Sequence, residues 1–273
     1  MNTTTKILFT DLDGTLLNSD REISEPNLAA IRKMTEAGHK FVISTGRPLF
    51  SALEIAKKYE FIAPGFFIVS FNGGLIYDCY RDENVFTATV PFPLMNLIFD
   101  EAKSSGIHVH TYSDHYVLAE KETPMLIHYS KVIKIPYKIV PDVMDELLHE
   151  PCKVLVADLE NHMKLEAFRE KLDSEVSYAL NSVFSNPMLL EYGPKAATKG
   201  NAIINLCQYF DIPVSNSIAC GDEENDLTMI QTAGIGVAMN NATEHIKSHS
   251  DYITKNDNNH HGIKEVIEQF IID

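Results

Sequence analysis

Short apolar runs that alternate with amphipathic, helix-period segments constrain the fold of this chain more than any other feature. The apolar runs cover 7–10, 41–44, 66–69, 218–220 and 235–239. The segments with helical periodicity are 27–37, 49–59, 199–210, 226–232, 243–248 and 263–270. Continuous apolar strands separated by amphipathic helices are typical of a parallel sheet with helices on both faces. We therefore predict an α/β, doubly wound, parallel-sheet core that binds its ligand at the carboxyl ends of the strands.

The glycines divide the chain into two differently built parts. Of the 13 glycines, only Gly106 lies between Leu75 and Tyr192. In the middle part, apolar stretches at 107–112, 115–119, 153–158 and 188–191 predict strands, and 163–172 predicts a helix. We therefore expect a core formed by 1–84 and 190–273, with an inserted α+β domain at 85–189.

Composition excludes several classes of protein. A net charge of −15 argues against a nucleic-acid binder, which needs a basic surface. The longest nearly apolar stretch, 61–71, is broken by Pro64 and Gly65 and is shorter than the ~20 residues that span a bilayer. The N-terminus has no signal-peptide pattern, and the four cysteines are too scattered for a disulfide framework or a zinc ribbon. We expect reduced, packed thiols and a cytoplasmic location, with neither membrane nor nucleic acid as a partner.

Two segments at the ends of predicted strands carry groups suited to chemistry. Asp11-Leu12-Asp13-Gly14-Thr15 follows the first strand, so one carboxylate could attack a substrate while the other moves protons. A solvated turn is the simpler alternative, because Asp and Gly favour turns. The stretch 44–48 follows the second strand with hydroxyls, backbone N–H groups and a helix start, which suits an anion or is an ordinary helix N-cap.

Two further segments follow the insert. Lys199 opens a helix, where a cation is unfavourable unless an anion lies close by, and Lys195 is a nearby competitor for the same role. After the next apolar strand come the acidic residues Asp222, Glu223, Glu224 and Asp226. Some of these acids suit a helix start, but their mutual repulsion also favours a bound metal, and carboxylates on loops suit Mg²⁺.

In this order, the motifs DLDGT, STGRP, the Lys-Gly helix start and GDEENDLTMI resemble the haloacid dehalogenase superfamily of phosphatases. The stretch 221–242 resembles the Cof-type hydrolases, whose large α/β insert follows the second motif. A departure occurs at Asn240-Asn241, where the family usually has Gly-Asn. If that turn requires a positive φ, Asn240 is the least costly non-glycine residue.

The resemblance implies a Mg²⁺-dependent phosphatase that hydrolyses small phosphate monoesters, such as sugar phosphates, through an aspartyl-phosphate. Asp11 would be the nucleophile and Asp13 the general acid/base. The metal ligands would be Asp11, Asp222 and the backbone carbonyl of Asp13. The other implied roles are phosphate binding by Leu12, Thr45, Gly46, Lys199 and Asn225, and support of the site by Arg47, Asn72 and Asp226.

Other functions stay open at this point. A phosphomutase would keep the aspartyl-phosphate but pass the phosphoryl group to another hydroxyl, and a sensor of phosphorylated ligands would keep the fold without catalysis. A dehalogenase is disfavoured because it lacks the second Asp of DLDGT. In the insert, His108, His110, His115 and His128 could suggest a metal site, but the alternation around His108 and His110 favours a strand with one polar face. The physiological ester and the oligomeric state are not predicted.

Overall fold

The structure is a computed structural model that describes residues 5–272. Contacts divide the chain into two compact units. The first, the core unit, runs up to Phe86 and resumes at Ala197, and the second, the insert unit, is Thr87–Ala196. The limits expected from the sequence, a core of 1–84 with 190–273 and an insert of 85–189, stay a prediction. The boundary between 189 and 190 falls inside a strand of the insert unit, Leu189–Pro194.

The N-terminal part of the chain alternates strands and helices before ending in two strands. It forms β1 (Ile7–Thr10), α1 (Glu25–Glu36), β2 (Lys40–Ser44), α2 (Leu49–Lys58), β3 (Phe66–Ser70), β4 (Leu75–Asp78) and β5 (Glu83–Thr87). Helix α1 begins two residues before the sequence prediction because Pro26 lies in its first turn, where a missing N–H costs nothing.

The insert unit mixes helices and strands. It contains α3 (Phe92–Ser104), β6 (His108–Tyr112), β7 (Val117–Ala119), α4 (Pro124–Ile133), β8 (Tyr137–Ile139), α5 (Val143–Glu146), β9 (Val154–Ala157), α6 (His162–Val176), β10 (Leu180–Asn186) and β11 (Leu189–Pro194). These strands form a sheet in the order β10-β11-β9-β6-β7-β8. Helix α3 was not predicted, although it buries Leu94, Ile98 and Ala102 at helical spacing.

The chain then returns to the core unit and completes its sheet. It forms α7 (Lys199–Tyr209), β12 (Ser217–Gly221), α8 (Leu227–Thr232), β13 (Ile235–Ala238), α9 (Glu244–Ser248), β14 (Tyr252–Ile253) and α10 (Gly262–Phe270). Within residues 5–272, no helix combines the length and the apolar character needed to cross a bilayer.

The core sheet combines strands that precede the insert unit with strands that follow it. Its strand order is β14-β13-β12-β1-β2-β3-β4-β5, and the strands from β14 to β3 are parallel. In the register, Thr10 lies opposite Cys220 on one side and Ile43 on the other. The residues that follow β1, β2 and β12 therefore share one edge of the sheet, which confirms the predicted parallel-sheet core.

The turn after β3 is unusual because three consecutive residues have a positive φ. These are Phe71 at 51°, Asn72 at 55° and Gly73 at 106°. A left-handed backbone is costly for a bulky residue such as Phe71. Gly73 also packs against the residue preceding α7, where an added Cβ would lie 2.3 Å from the carbonyl oxygen of Thr198.

We predict that Gly73→Ala destabilises the protein far more than Gly38→Ala. Both glycines are left-handed, but the space around Gly38 is open to 4 Å. The Gly38 substitution should cost only the backbone penalty of about 1–2 kcal/mol. Gly73→Ala adds a clash with backbone and should cost more than about 3 kcal/mol. Urea unfolding of the two variants measures the difference, and equal losses would contradict the close packing at Gly73.

Candidate active site

Lys199 lies at the centre of the candidate site, in the first turn of α7. Thr198 caps this helix by accepting a hydrogen bond from the backbone N–H of Asn201 at 3.0 Å. The Lys199 side chain is fully buried, and its Nζ donates to Oδ1 of Asp11 and to Oδ1 of Asp226, each at 2.5 Å. Burial alone lowers the pKa of Lys199, but the two carboxylates raise it by more, so the ammonium stays charged.

Lys195, the competitor considered in the sequence, lies elsewhere. Its side chain is exposed, and its backbone N–H donates to the carbonyl of Ala179 at 3.1 Å within the insert unit. The structure therefore brings Lys199, rather than Lys195, to Asp11.

Asp11 continues the line of β1 and is almost fully buried. Its backbone N–H donates to the carbonyl of Cys220 at 2.9 Å, which fixes the residue at the edge of the sheet. Burial and then the charge of Asp226 hold the pKa of Asp11 well above its usual range, although Lys199 opposes the shift. A second positive charge would therefore favour the ionised carboxylate.

The acidic segment after β12 is organised by Asp226. Its Oδ2 accepts the backbone N–H of Asp222 at 2.9 Å and that of Glu223 at 3.1 Å, while its Oδ1 binds Lys199. Asp222 accepts a hydrogen bond from the Thr15 hydroxyl at 2.6 Å through its Oδ1. Thr15 was not singled out from the sequence, although it is the last residue of the DLDGT motif.

The carboxylates form a cluster that suits a divalent cation. Oxygens of Asp11, Asp222 and Asp226 lie within 4.8 Å of one another, and all three residues are buried. Both oxygens of Asp226 already have partners, whereas Asp11 and Asp222 are each bound through Oδ1 and can offer Oδ2. Hard oxygen ligands of this kind fit Mg²⁺.

Asp13 differs from Asp11 in being exposed. Arg47 binds both of its carboxylate oxygens, with Nε donating to Oδ2 at 2.7 Å and Nη2 donating to Oδ1 at 2.5 Å. This two-pronged geometry fixes the orientation of the carboxylate as well as its position. The DLDGT and STGRP motifs are thus joined by a direct ion pair.

A group of polar residues from three loops lies beside the ion pair of Asp13 and Arg47. Thr45 is buried, its Oγ1 accepts the backbone N–H of Arg47 at 3.2 Å, and its carbonyl accepts the N–H of Asn72 at 3.0 Å. The Asn225 side chain donates to Oδ1 of Asn72 at 3.3 Å. A Cβ on Gly46 would lie 3.0 Å from that same oxygen, so glycine allows the close approach. The left-handed turn at Asn72 therefore unites the predicted phosphate-binding residues Thr45, Gly46 and Asn225.

Leu12, whose backbone was predicted to bind phosphate, lies in the turn after β1. The Leu12 side chain is buried and its carbonyl accepts the N–H of Leu17 at 2.9 Å. In the insert unit, β6 is confirmed as a strand. Nε2 of His108 and Nδ1 of His110 lie 2.9 Å apart on one face of this strand. Burial lowers the pKa of His108 to about 4. His115 and His128 are exposed, and the four cysteines are buried as expected.

Comparison with known proteins agrees with this geometry. The family model of haloacid dehalogenase-like hydrolases matches residues 8–267. The chain belongs to the haloacid dehalogenase-like hydrolase family. A relative from Bacillus subtilis, the 5-amino-6-(5-phospho-D-ribitylamino)uracil phosphatase YitU, is 28% identical, with 99% of each chain covered.

Solved structures of similar sequence have the same fold. A haloacid dehalogenase-like hydrolase from Bacteroides thetaiotaomicron is 29% identical, with a TM-score of 0.89 over 97% of this chain and 99% of that one. A protein from Thermotoga maritima is also 29% identical, with a TM-score of 0.87 over 99% of both chains. The predicted fold class and family are confirmed, and the relatives identify the chain as a phosphoric monoester hydrolase of this family.

We predict that Asp222→Asn stabilises the metal-free protein at alkaline pH. Burial raises the pKa of Asp222 to about 7, whereas the unfolded chain releases this proton near pH ~4. The stabilising contribution of the protonated carboxyl is therefore complete at low pH and lost as the pH rises through about 7. In EDTA, the variant should gain about 1–3 kcal/mol at pH 8 and progressively less toward pH 4.

Urea titrations across this pH range measure the effect. Glu224→Gln is the matched control, because Glu224 lies in the same acidic segment with an exposed side chain. A gain for Asp222→Asn that did not change with pH would contradict the raised pKa.

Proposed function

We propose that this hydrolase is a Mg²⁺-dependent phosphatase that acts on small phosphate monoesters through an aspartyl-phosphate intermediate. The observation that carries the proposal is the buried Asp11 carboxylate held by Lys199 beside Asp222. Buried acids next to a cation and other acids suit phosphoryl transfer, which depends mainly on positioning and charge neutralisation. An unassisted set of three buried carboxylates would instead repel a phosphate ester.

In this proposal, Mg²⁺ would be held by Asp11, Asp222 and the backbone carbonyl of Asp13, and would neutralise charge on the phosphoryl group. Lys199 keeps Asp11 oriented and contributes a second positive charge. One carboxylate oxygen of Asp11 attacks phosphorus while its other oxygen would bind the metal, and the bond from phosphorus to the ester oxygen breaks. Asp11 is left as an acyl phosphate, and this intermediate divides the hydrolysis into two easier steps.

Asp13 would handle the protons in both steps. Its carboxyl donates a proton to the departing alcohol oxygen, and the resulting carboxylate then takes a proton from the water that attacks phosphorus. The bond between phosphorus and the Asp11 oxygen breaks, which releases phosphate and restores the Asp11 carboxylate. The exposed position of Asp13 suits this exchange with substrate and water. Thr45, the Gly46 and Leu12 backbone groups and Asn225 would bind the phosphoryl oxygens.

The substrate is proposed to be a small phosphorylated metabolite such as a sugar phosphate. The Bacillus subtilis relative is named for a phosphate ester carried on a ribityl chain, which is chemically close to a sugar phosphate. The four buried cysteines form no disulfide with one another, which fits a reducing compartment, so we place the enzyme in the cytoplasm.

Hydrolysis of 4-nitrophenyl phosphate tests the proposal directly. We expect turnover that requires Mg²⁺ and falls to background in Asp11→Asn, because an amide is not a competent nucleophile. Rapid quenching and intact-mass analysis should detect a phosphorylated wild-type protein but not a phosphorylated variant. Asp20→Asn, which changes an exposed acid a few residues away, serves as the control. Substantial turnover by folded Asp11→Asn would remove Asp11 from the nucleophile's role.

Metal binding has a readout that does not depend on activity. Mg²⁺ should raise the thermal unfolding midpoint of the wild-type protein, because a ligand that binds only the folded state stabilises it. The increase should disappear in Asp222→Asn. Incubation with a hexose phosphate separates the phosphatase, which releases free phosphate, from a phosphomutase, which forms an isomeric hexose phosphate.

The two lysines provide a matched pair of substitutions. Lys199→Ala should reduce kcat for 4-nitrophenyl phosphate by about 10²-fold or more, since a preorganised charge at the reacting group is lost. Lys195→Ala removes an exposed charge and should leave kcat nearly unchanged. Both variants are to be compared as folded proteins by circular dichroism. The opposite ranking would show that the cation of the site has been misassigned.

A further inference from the structure

The turn that carries Asp13 is held together only partly by its own backbone. The N–H of Leu16 donates to the carbonyl of Asp11 at 3.2 Å, and the N–H of Leu17 donates to the carbonyl of Leu12 at 2.9 Å. Gly14 lies inside this turn with φ of +82°. Glycine adopts this left-handed backbone without the steric penalty of a side chain, but ordering it costs more entropy than ordering other residues, so contacts from elsewhere in the chain help to hold the turn.

Two asparagines from the C-terminal part of the chain supply such contacts. The Nδ2 of Asn241 donates to the carbonyl of Gly14 at 2.8 Å, and the Nδ2 of Asn258 donates to the carbonyl of Leu17 at 2.9 Å. The two asparagines are also linked, because the backbone N–H of Asn258 donates to Oδ1 of Asn241 at 3.2 Å. We call Asn241 and Asn258 the asparagine clamp.

The clamp is connected to the acidic segment as well. Asn241 lies in the loop between β13 and α9, where the N–H of Thr243 donates to the carbonyl of Asp222 at 3.1 Å. A Cβ on Gly14 would lie 2.3 Å from Oδ2 of Asp222, so the turn and the carboxylate are in close contact. A small displacement of Gly14 would therefore change the spacing between the Asp13 turn and Asp222.

The neighbouring Asn240 shows that this arrangement is specific to Asn241. The Nδ2 of Asn240 donates to the carbonyl of Thr254 at 3.2 Å, away from the turn. Among residues 5–272, Asn240 is not one of the non-glycine residues with a positive φ, so its turn does not need the glycine that is usual in the family.

We propose that the asparagine clamp positions Asp13 for proton transfer to the leaving group. This inference rests on the proposed phosphatase function, in which Asp13 is the general acid/base. Asn241 and Asn258 are positioning residues, because they bind the backbone on either side of the turn rather than any reacting atom. Catalysis is sensitive to such positioning, since a shift of about 1 Å can cost about 10²-fold in rate.

Two substrates that differ in their need for an acid separate positioning from general stability. Nitrophenolate leaves readily without a proton, whereas phenolate, a stronger base, needs protonation more. Asn241→Asp and Asn258→Asp keep the side-chain size but replace the donor by a carboxylate oxygen. In single-turnover rapid-quench measurements, which separate formation of the aspartyl-phosphate from its hydrolysis, we expect the rate constant of formation to fall by about 10-fold or more with phenyl phosphate and by less than about 3-fold with 4-nitrophenyl phosphate.

Control variants exclude charge and folding as the cause. Asn241→Ala should give the same selective loss without adding a charge, while Asn240→Asp should leave both substrates unaffected. Asp13→Asn should show the same selectivity, and adding Asn241→Asp to it should cause little further loss, because the two residues act on one step. Thermal unfolding midpoints of all variants report their stability.

The outcomes are distinct. A selective loss on phenyl phosphate supports the clamp. Equal losses on both substrates, or additive losses in the double variant, overturn it while leaving the phosphatase function intact. A wild-type protein that hydrolyses neither ester with Mg²⁺ overturns the proposed function itself, and the clamp with it.

Discussion

A buried ammonium between two buried carboxylates is the interaction on which the rest of the site depends. Lys199 links Asp11 after β1 to Asp226 after β12, and its ammonium offsets part of the cost of burying these two carboxyl groups side by side. Asp226 in turn binds two backbone N–H groups of the acidic segment, so the same ion pair also fixes the position of Asp222. Stability and chemistry therefore share one set of charges, and the site cannot be rearranged without disturbing the packing of three chain segments.

The left-handed turn at Phe71 and Asn72 has a comparable double role. It seats Gly73 against the start of α7, which carries Lys199, and it presents the Asn72 side chain to Asn225. A strained backbone conformation of this kind persists only where the surrounding contacts hold it in place. The lysine and the polar group around Thr45 are thus connected through backbone packing as well as through side-chain bonds.

Sequence reasoning succeeded where the information is local. The apolar strands and the acids at their ends follow from short patterns, and parallel pairing then brings those ends to one edge. It missed helices α3 and α4, where a proline directly precedes or begins the helix. It also missed the contacts of Thr15, Asn241 and Asn258, because an amide or hydroxyl that binds backbone far away in sequence leaves no local signal.

The place of β1 in the sheet determines when the core can form during synthesis. β1 precedes the insert unit in the chain, yet one of its two neighbours in the sheet, β12, follows that unit and is paired with β1 through Ile7 and Ser217. That side of β1 lacks its partner until the whole insert unit has been made, and closing so long a loop carries an entropic cost. An apolar strand edge is therefore open on the ribosome, where it is prone to wrong pairing. The order of the strands therefore makes completion of the core sheet a late, long-range step of folding.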